Sequence, residues 1–515
     1  LTVKNKQGAA AQPAWRLHLP QGKPVNQTLV QKLTRTKPVE SGGGAAESLH
    51  STGLSRSIGL FSLTMIGVGA TIGTGIFFTM VEAVPKAGPS VILSFLLAAL
   101  TAGLTALCYA ELSFRIPAAG SAYSFAYATV GEFMAFIVAF CLLLEYGLAA
   151  SATAIGWSDY LNNFLINAVG WQIPETLRTP MIVSTPTGTI WNVGHINLPP
   201  IILVTLCCIL LVRGAKESAL ANAVMVMIKL AILIFFVVIA LQGFDMNNFH
   251  PFIKTTPGEW LPGATGIAAA AGTVFFSFIG LDTIATAGEE VRNPKRNVPI
   301  GILGALVIVT VFYLLVAVAA MGAQPAHMFE GQAAGLAVIL QNVTGHAWPA
   351  LVLSAGAVIS VFSVTLVTIY GQTRILYAIA KDGLVPKAFQ TVNPKSHSPV
   401  ANTLIVSIVV GIVGGLVDST FLWDMVSMGT LTAFIIVSVA VPVLRSKDHA
   451  AGMSTKGGFR VPFGPYFVPA LSIAACAYLM VNLSHATKVI FTIWMVVAVI
   501  TYFFYGIHNS RLKKV

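Results

Sequence analysis

Two stretches, placed alike in the two halves of the chain, hold residue types suited to binding a small zwitterion. Gly67 to Phe77 reads G-V-G-A-T-I-G-T-G-I-F and Phe275 to Asp282 reads F-F-S-F-I-G-L-D, each inside a long apolar segment. Glycine admits positive φ and close approach of a ligand to the backbone. A helix unwound in the first stretch, at Ile72, Gly73, Thr74 and Gly75, exposes N–H groups at the start of its second half. The helix dipole favours a carboxylate there. Close helix packing through small residues is the alternative, and it suits one or two glycines better than a clustered run. In the second stretch the carbonyls of Ser277 to Gly280, Ile279 among them, suit an ammonium group. Phe275, Phe276 and Phe278 are candidates for a gate or for a cation on a ring face, with ordinary packing as the alternative for each. Asp282 either caps the second half-helix or faces the bound molecule.

Ionisable groups inside apolar segments are the other candidates, because stranding one at a bilayer centre costs at least ~3 kcal/mol. Lys229 lies in V-M-I-K-L-A-I-L and Glu145 in L-L-L-E-Y. A buried amine whose surroundings change can take up and release a proton; a mutual salt bridge that ties two helices is the plainer role for this pair. Glu132, Glu289 and Glu290 sit near segment ends, where an interfacial place is expected.

The elements that must position these groups are membrane spans. Charged residues are 10% of the 515 and hydrophobic residues 56%, against roughly 25% charged in soluble proteins. Twelve apolar segments lie at about 58–80, 89–112, 124–152, 197–213, 217–243, 263–290, 298–322, 348–378, 399–417, 421–444, 464–483 and 487–508, each near the ~20 residues that cross a bilayer. Backbone polar groups cannot be left unpaired in lipid, so an interrupted span lines a cavity or binds something. Two such interruptions, one per half, mark the substrate site of an inverted-repeat secondary transporter. The fold expected is an all-α integral membrane protein with first and sixth helices discontinuous. Residues 58–243 and 263–444 form the two five-helix repeats, and 464–508 the two added helices.

The net charge of +11 is a topology signal. Arg115, Arg213, Lys216, Arg292, Lys295, Arg296, Arg374, Lys381, Lys387, Lys395, Arg445, Lys447, Lys456 and Arg460 fall in loops on one side, with Lys86, Arg178, Lys254 and Lys488 opposite. That asymmetry puts both termini in the cytoplasm of a plasma (inner) membrane, with anionic lipid rather than nucleic acid as the basic side's neighbour. Residues 1–57 are polar, with a Ser-Gly-Gly-Gly run at Ser41 to Gly44, and read as a mobile cytoplasmic tail without a cleavable signal peptide; 509–515 form a second short tail. Leu1 in place of an initiator Met fits trimming, an alternative start codon or a truncated sequence. Cys108, Cys141, Cys207, Cys208 and Cys476 lie in apolar segments without metal-ligand spacing and read as packing residues. The sequons at Asn26, Asn342 and Asn482 read as chance matches.

Four long motifs carry a family resemblance. They are Tyr109 to Glu132 (Y-A-E-L-S-F-R-I-P-A-A-G-S-A-Y-S-F-A-Y-A-T-V-G-E), Leu142 to Trp157, Phe275 to Ile302 (with G-E-E-V-R-N-P-K-R-N-V-P-I-G-I) and Tyr370 to Phe389 (Y-G-Q-T-R-I-L-Y-A-I-A-K-D-G-L-V-P-K-A-F). Over about Ser55 to Ile507 the chain resembles the cationic amino acid transporter branch of the amino acid–polyamine–organocation superfamily. The resemblance implies carboxylate binding at Gly73, Thr74 and Gly75 and amine binding at Phe276, Ser277 and Ile279. It places Lys229 where sodium-coupled cousins hold an ion, which gives it the proton-coupling role. It associates Glu145 with the pocket, and Thr368 with the room left for the substrate side chain.

The expected activity is therefore proton-coupled symport of L-amino acids, cationic ones included, with neutral amino acid transport or exchange as alternatives. A non-transporting amino acid sensor is a different class, but no added signalling domain is visible. The sequence has no H-E-x-x-H and no Asp-rich metal motif, so an enzyme, a metal or another cofactor is not expected. A channel would need a repeated filter sequence. The partners expected are an amino acid, protons and the bilayer, with a small single-span partner left open.

Overall fold

The computed structural model describes residues 28–37, 58–73, 75–116, 121–185, 188–212, 219–254, 262–286, 291–332, 334–393, 399–450 and 458–514. A short helix α1 (Leu29–Leu33) precedes α2 (Leu60–Thr71), α3 (Gly75–Ala87), α4 (Val91–Arg115), α5 (Ser121–Thr129), α6 (Glu132–Val169), α7 (Leu198–Val212) and α8 (Ala219–Ala240). An antiparallel hairpin, β1 (Ile182–Thr185) and β2 (Gly188–Trp191), joins α6 to α7 with Ile182 opposite Trp191. There follow α9 (Ala264–Val274), α10 (Thr283–Thr286), α11 (Pro294–Ala323), α12 (Gly335–Thr344), α13 (Ala347–Lys381), α14 (Val400–Leu416), α15 (Ser419–Ala450), α16 (Phe467–Val481) and α17 (His485–Thr501).

Among the described residues, eight helical stretches are long and apolar enough to cross a membrane, and α2, α7, α12, α14 and α16 are shorter apolar helices. Leu100, Val307 and Ile408 are more than half exposed on the outer faces, as expected of a surface whose solvent is lipid rather than water. Inside, α6 packs along α13 and α15, and α4 along α11. The five cysteines are buried and unpaired.

Both interruptions are present. Helix α2 stops at Thr71 because Ile72 leaves helical geometry (φ −74°, ψ 87°), and the helix resumes at Gly75. Helix α9 tightens into a 3-10 turn at Phe275–Phe278, Ile279 is extended, Gly280 takes φ +104°, and α10 begins at Thr283.

Two expectations need correction. The third span does not begin at 124: Gly131 takes φ +126°, a left-handed region natural to glycine, so α5 ends before it and α6 starts at Glu132. Glu132, the first residue of α6, is fully buried, and Arg35, Tyr127, Tyr502 and Ser510 all bind its carboxylate. The mobile tail does not include residues 28–37. Helix α1 closes with a capping box between Thr28 and Gln31, and Arg35 anchors the segment to Glu132. The rest of the tail, 1–27 and 38–57, lies outside the described residues, as do Glu289 and Glu290.

Candidate substrate site

The two interruptions are docked on one another through glycines. A Cβ at Gly75 would stand 2.5 Å from the Ser277 Cα, and one at Gly280 would stand 2.8 Å from the Ala70 carbonyl oxygen. Neither neighbour is a flexible side-chain tip, so these contacts require glycine. Gly73 faces α13, where its Cβ would meet a Val364 methyl at 2.5 Å. Ile72 is fully buried and its N–H closes onto Val68. Thr74 lies outside the described residues.

Tyr313 on α11 pins the two interruptions together. Its buried hydroxyl lies 2.9 Å from the Thr71 carbonyl and 2.7 Å from the Ser277 carbonyl, one at each break. Ser277 also shares a 3.1 Å hydrogen bond with Thr79 on α3. Phe276 meets Trp423 of α15 edge-on with centroids 4.3 Å apart, and Trp423 stacks on Phe78 of α3 at 6.1 Å. Ile279 is half-buried, its N–H bonded to the Phe276 carbonyl. Sequence reasoning missed Tyr313, Trp423 and Phe78. A lone tyrosine in an apolar span was the available signal, since a buried phenol needs a partner.

Lys229 is buried on α8 and its amine donates to the Gly69 carbonyl at 3.2 Å. Gly69 is among the last four residues of α2, whose carbonyls have no partner within the helix. Glu145 lies on α6 with Asp282 and Thr430 as neighbours, and its Oε1 has no hydrogen-bonding partner among the described residues. A salt bridge from Lys229 to that oxygen is therefore not formed. Asp282 accepts from Tyr146 at 3.1 Å and from Ser121 at 3.4 Å. Thr368 directs its hydroxyl to Val364 one turn back on α13, which sets it on the helix face that meets Gly73.

At the far end of α3, Lys86 donates to Thr273 at 2.6 Å and lies 3.9 Å from Asp424 of α15. Thr273 in turn donates to Asp424 at 3.2 Å. Beside this link is a cavity of about 400 Å³ lined by Glu82, Lys86, Asp159, Glu330 and Gln332. The arrangement combines two helix interruptions in contact, aromatic walls and buried carboxyl groups. It suits recognition of a small zwitterion, and no nucleophile–base pair is present among the described residues.

Residues 58–505 match the amino acid permease family. The chain is 37% identical over 487 residues to the methylthioribose transporter of Bacillus subtilis, covering 94% of this chain and 100% of that one. It is 37% identical over 461 residues to the branched-chain amino acid permease BcaP of the same organism, with 90% and 95% coverage. To the vacuolar cationic amino acid transporter 2 of Arabidopsis thaliana it is 36% identical over 421 residues, or 81% of this chain and 63% of that one. The chain belongs to the amino acid permease family of the amino acid–polyamine–organocation superfamily, a family of membrane transporters and not of enzymes.

Proposed function

We propose that the protein is a proton-coupled symporter of L-amino acids that works by alternating access. In this reading twelve spans form two five-helix repeats of opposite orientation with two added helices, and both termini are cytoplasmic. The mutual docking of the two interrupted helices through Gly75 and Gly280 carries the proposal. It brings the start of α3, an N-terminus that favours a carboxylate, beside the carbonyls of Phe276, Ser277 and Ile279, which favour an ammonium. The substrate side chain then lies toward Phe276, Trp423 and Thr368.

Lys229 supplies the coupling in this reading. Protonated, it makes a charge-assisted bond to Gly69, about twice as strong as a neutral one, and places a cation at the C-terminal end of α2, where the dipole welcomes it. Deprotonated, it holds that end less firmly. A proton therefore fills the electrostatic role of a bound sodium ion. Glu145 and Asp282 offer the negative charge that extends the range to arginine and lysine.

A narrower reading, neutral amino acids alone, is favoured by the aromatic group Phe78, Phe276 and Trp423 and by the full-length similarity to a branched-chain amino acid permease. One experiment separates the two. In proteoliposomes with an imposed pH gradient and no sodium, labelled uptake is challenged with arginine, lysine, leucine, alanine and methylthioribose. Competition by the cations supports the broader range; competition by leucine and alanine alone supports the narrower one. Accumulation that requires sodium and ignores a protonophore refutes proton coupling.

A further inference from the structure

The N-terminal segment 28–37 lies against the ends of α5, α6 and α13, and its attachment is extensive. Arg35, its side chain 7% exposed, pairs with the fully buried Glu132 at 2.8 Å. The Glu132 N–H donates to the Arg35 carbonyl at 2.7 Å, and the Lys37 N–H to the Tyr127 carbonyl at 3.0 Å. Gly131 leaves room for the passing backbone, since a Cβ there would stand 2.9 Å from the Thr34 Cα. Lys37 pairs with Asp382 at the end of α13, 2.9 Å away. The C-terminal end joins the same cluster. Ser510 and Tyr502 donate to Glu132, and the Arg511 N–H donates to the Asp382 carbonyl.

Helix α5 connects this cluster to the candidate site. Tyr123 donates to Asp382 at 2.7 Å and Tyr127 to Glu132 at 3.1 Å. Burial and the neighbouring Asp382 push the Tyr123 phenol well above its ordinary range, so it stays a donor. At its first residue the same helix carries Ser121, held at φ +48°, whose hydroxyl reaches Asp282 just after the second interruption. A non-glycine residue at positive φ persists only when its surroundings enforce it.

We infer that residues 28–37, with the chain's C-terminal end, form a clasp on Glu132 and Asp382 that α5 transmits to Asp282, so that fastening the clasp holds the second interruption in place. Ser121 is then a positioning residue for Asp282. The inference rests on the transport reading for its purpose, because a clasp on the inner ends of α6 and α13 must loosen for the inner side to open. Its structural content is independent of that reading.

The test is amide hydrogen exchange by mass spectrometry on the full chain in nanodiscs, comparing wild type with Lys37→Gln and Arg35→Gln. Arg35→Gln leaves a buried carboxylate without its cation and is the harsher change; Lys37 is half exposed, so Lys37→Gln keeps the test readable if the other variant fails to fold. The expected result is exchange about 3- to 10-fold faster over 121–129 and also over 279–286, with α14 unchanged. Faster exchange confined to 28–37 and the start of α6 overturns the inference, as does a uniform rise that includes α14 or no change at all. Wild-type protein without uptake would strike the transport reading alone, since exchange at 279–286 is read without substrate.

Discussion

Replacing Tyr313 by phenylalanine removes one oxygen from the point where the two interruptions meet. The ring is fully buried and makes edge contacts with Phe278 at 5.2 Å and Phe95 at 6.1 Å, and phenylalanine retains these. Thr71's carbonyl keeps a donor, the Gly73 N–H at 2.9 Å, so the loss falls mainly on Ser277's carbonyl. A buried acceptor left unsatisfied costs about 1–3 kcal/mol, and each ~1.4 kcal/mol is tenfold in an equilibrium constant. If binding needs both breaks held in register, roughly tenfold or more should appear in Kd. The assay is equilibrium binding in detergent of the best competitor among leucine, alanine and arginine, with a melting curve recorded beside it. Tyr313→Phe is expected to weaken binding about tenfold and to lower Tm by a few degrees. A Kd within twofold of wild type alongside a lowered Tm would show that the hydroxyl supports the fold but not the site. No change in either would refute the reasoning that this hydroxyl, its one hydrogen shared between the Thr71 and Ser277 carbonyls, fixes the breaks.

Gly75→Val should reduce binding by roughly 100-fold or more, because the new side chain meets the Ser277 backbone and the helices must part; overpacking of about 1–3 kcal/mol should lower Tm as well. Intact binding would sink the backbone-carboxylate site. Lys229→Ala should abolish uptake driven by an inward proton gradient while leaving measurable binding, and unchanged gradient-driven uptake would refute the coupling role. Thr368→Met should weaken competition by arginine and lysine more than by alanine, since it fills the α13 face beside Gly73. An equal loss for all three would remove Thr368 from side-chain selection.

The two breaks were legible because a run of glycines has few other uses in an apolar segment, and Lys229 because a buried amine stands out against leucine and isoleucine. What glycine does there was less legible. Gly75 and Gly280 serve the approach of one interruption to the other as well as any approach of a ligand, and that contact joins residues some two hundred positions apart. Trp423 and Phe78 join the candidate site through packing between helices, which no local pattern encodes. The boundary between α5 and α6 had a signal in Gly131, but apolar residues on both sides concealed it. Segment 28–37 was misjudged for a related reason. Composition measures whether a segment can bury a core of its own, not whether it can dock on a buried carboxylate 97 residues away.

An interrupted helix exposes the last four carbonyls of its first half, and in an apolar surround each needs a donor. In α2, Val68 receives the Ile72 N–H, Thr71 receives the Gly73 N–H and the Tyr313 hydroxyl, and Gly69 receives the Lys229 amine. Ala70's carbonyl lies against Gly280 of the second interruption. Two of these donors come from the break itself and two from side chains on α11 and α8. The side-chain donors differ in kind. The phenol donates as a neutral group, whereas an ammonium donates with a charge. On the coupling proposed above, the break is held by one fixed pin and one that a proton can tighten. On that proposal the tyrosine and the lysine are not redundant: removing the fixed pin should weaken binding alike at every pH, whereas removing the adjustable one should erase any pH dependence.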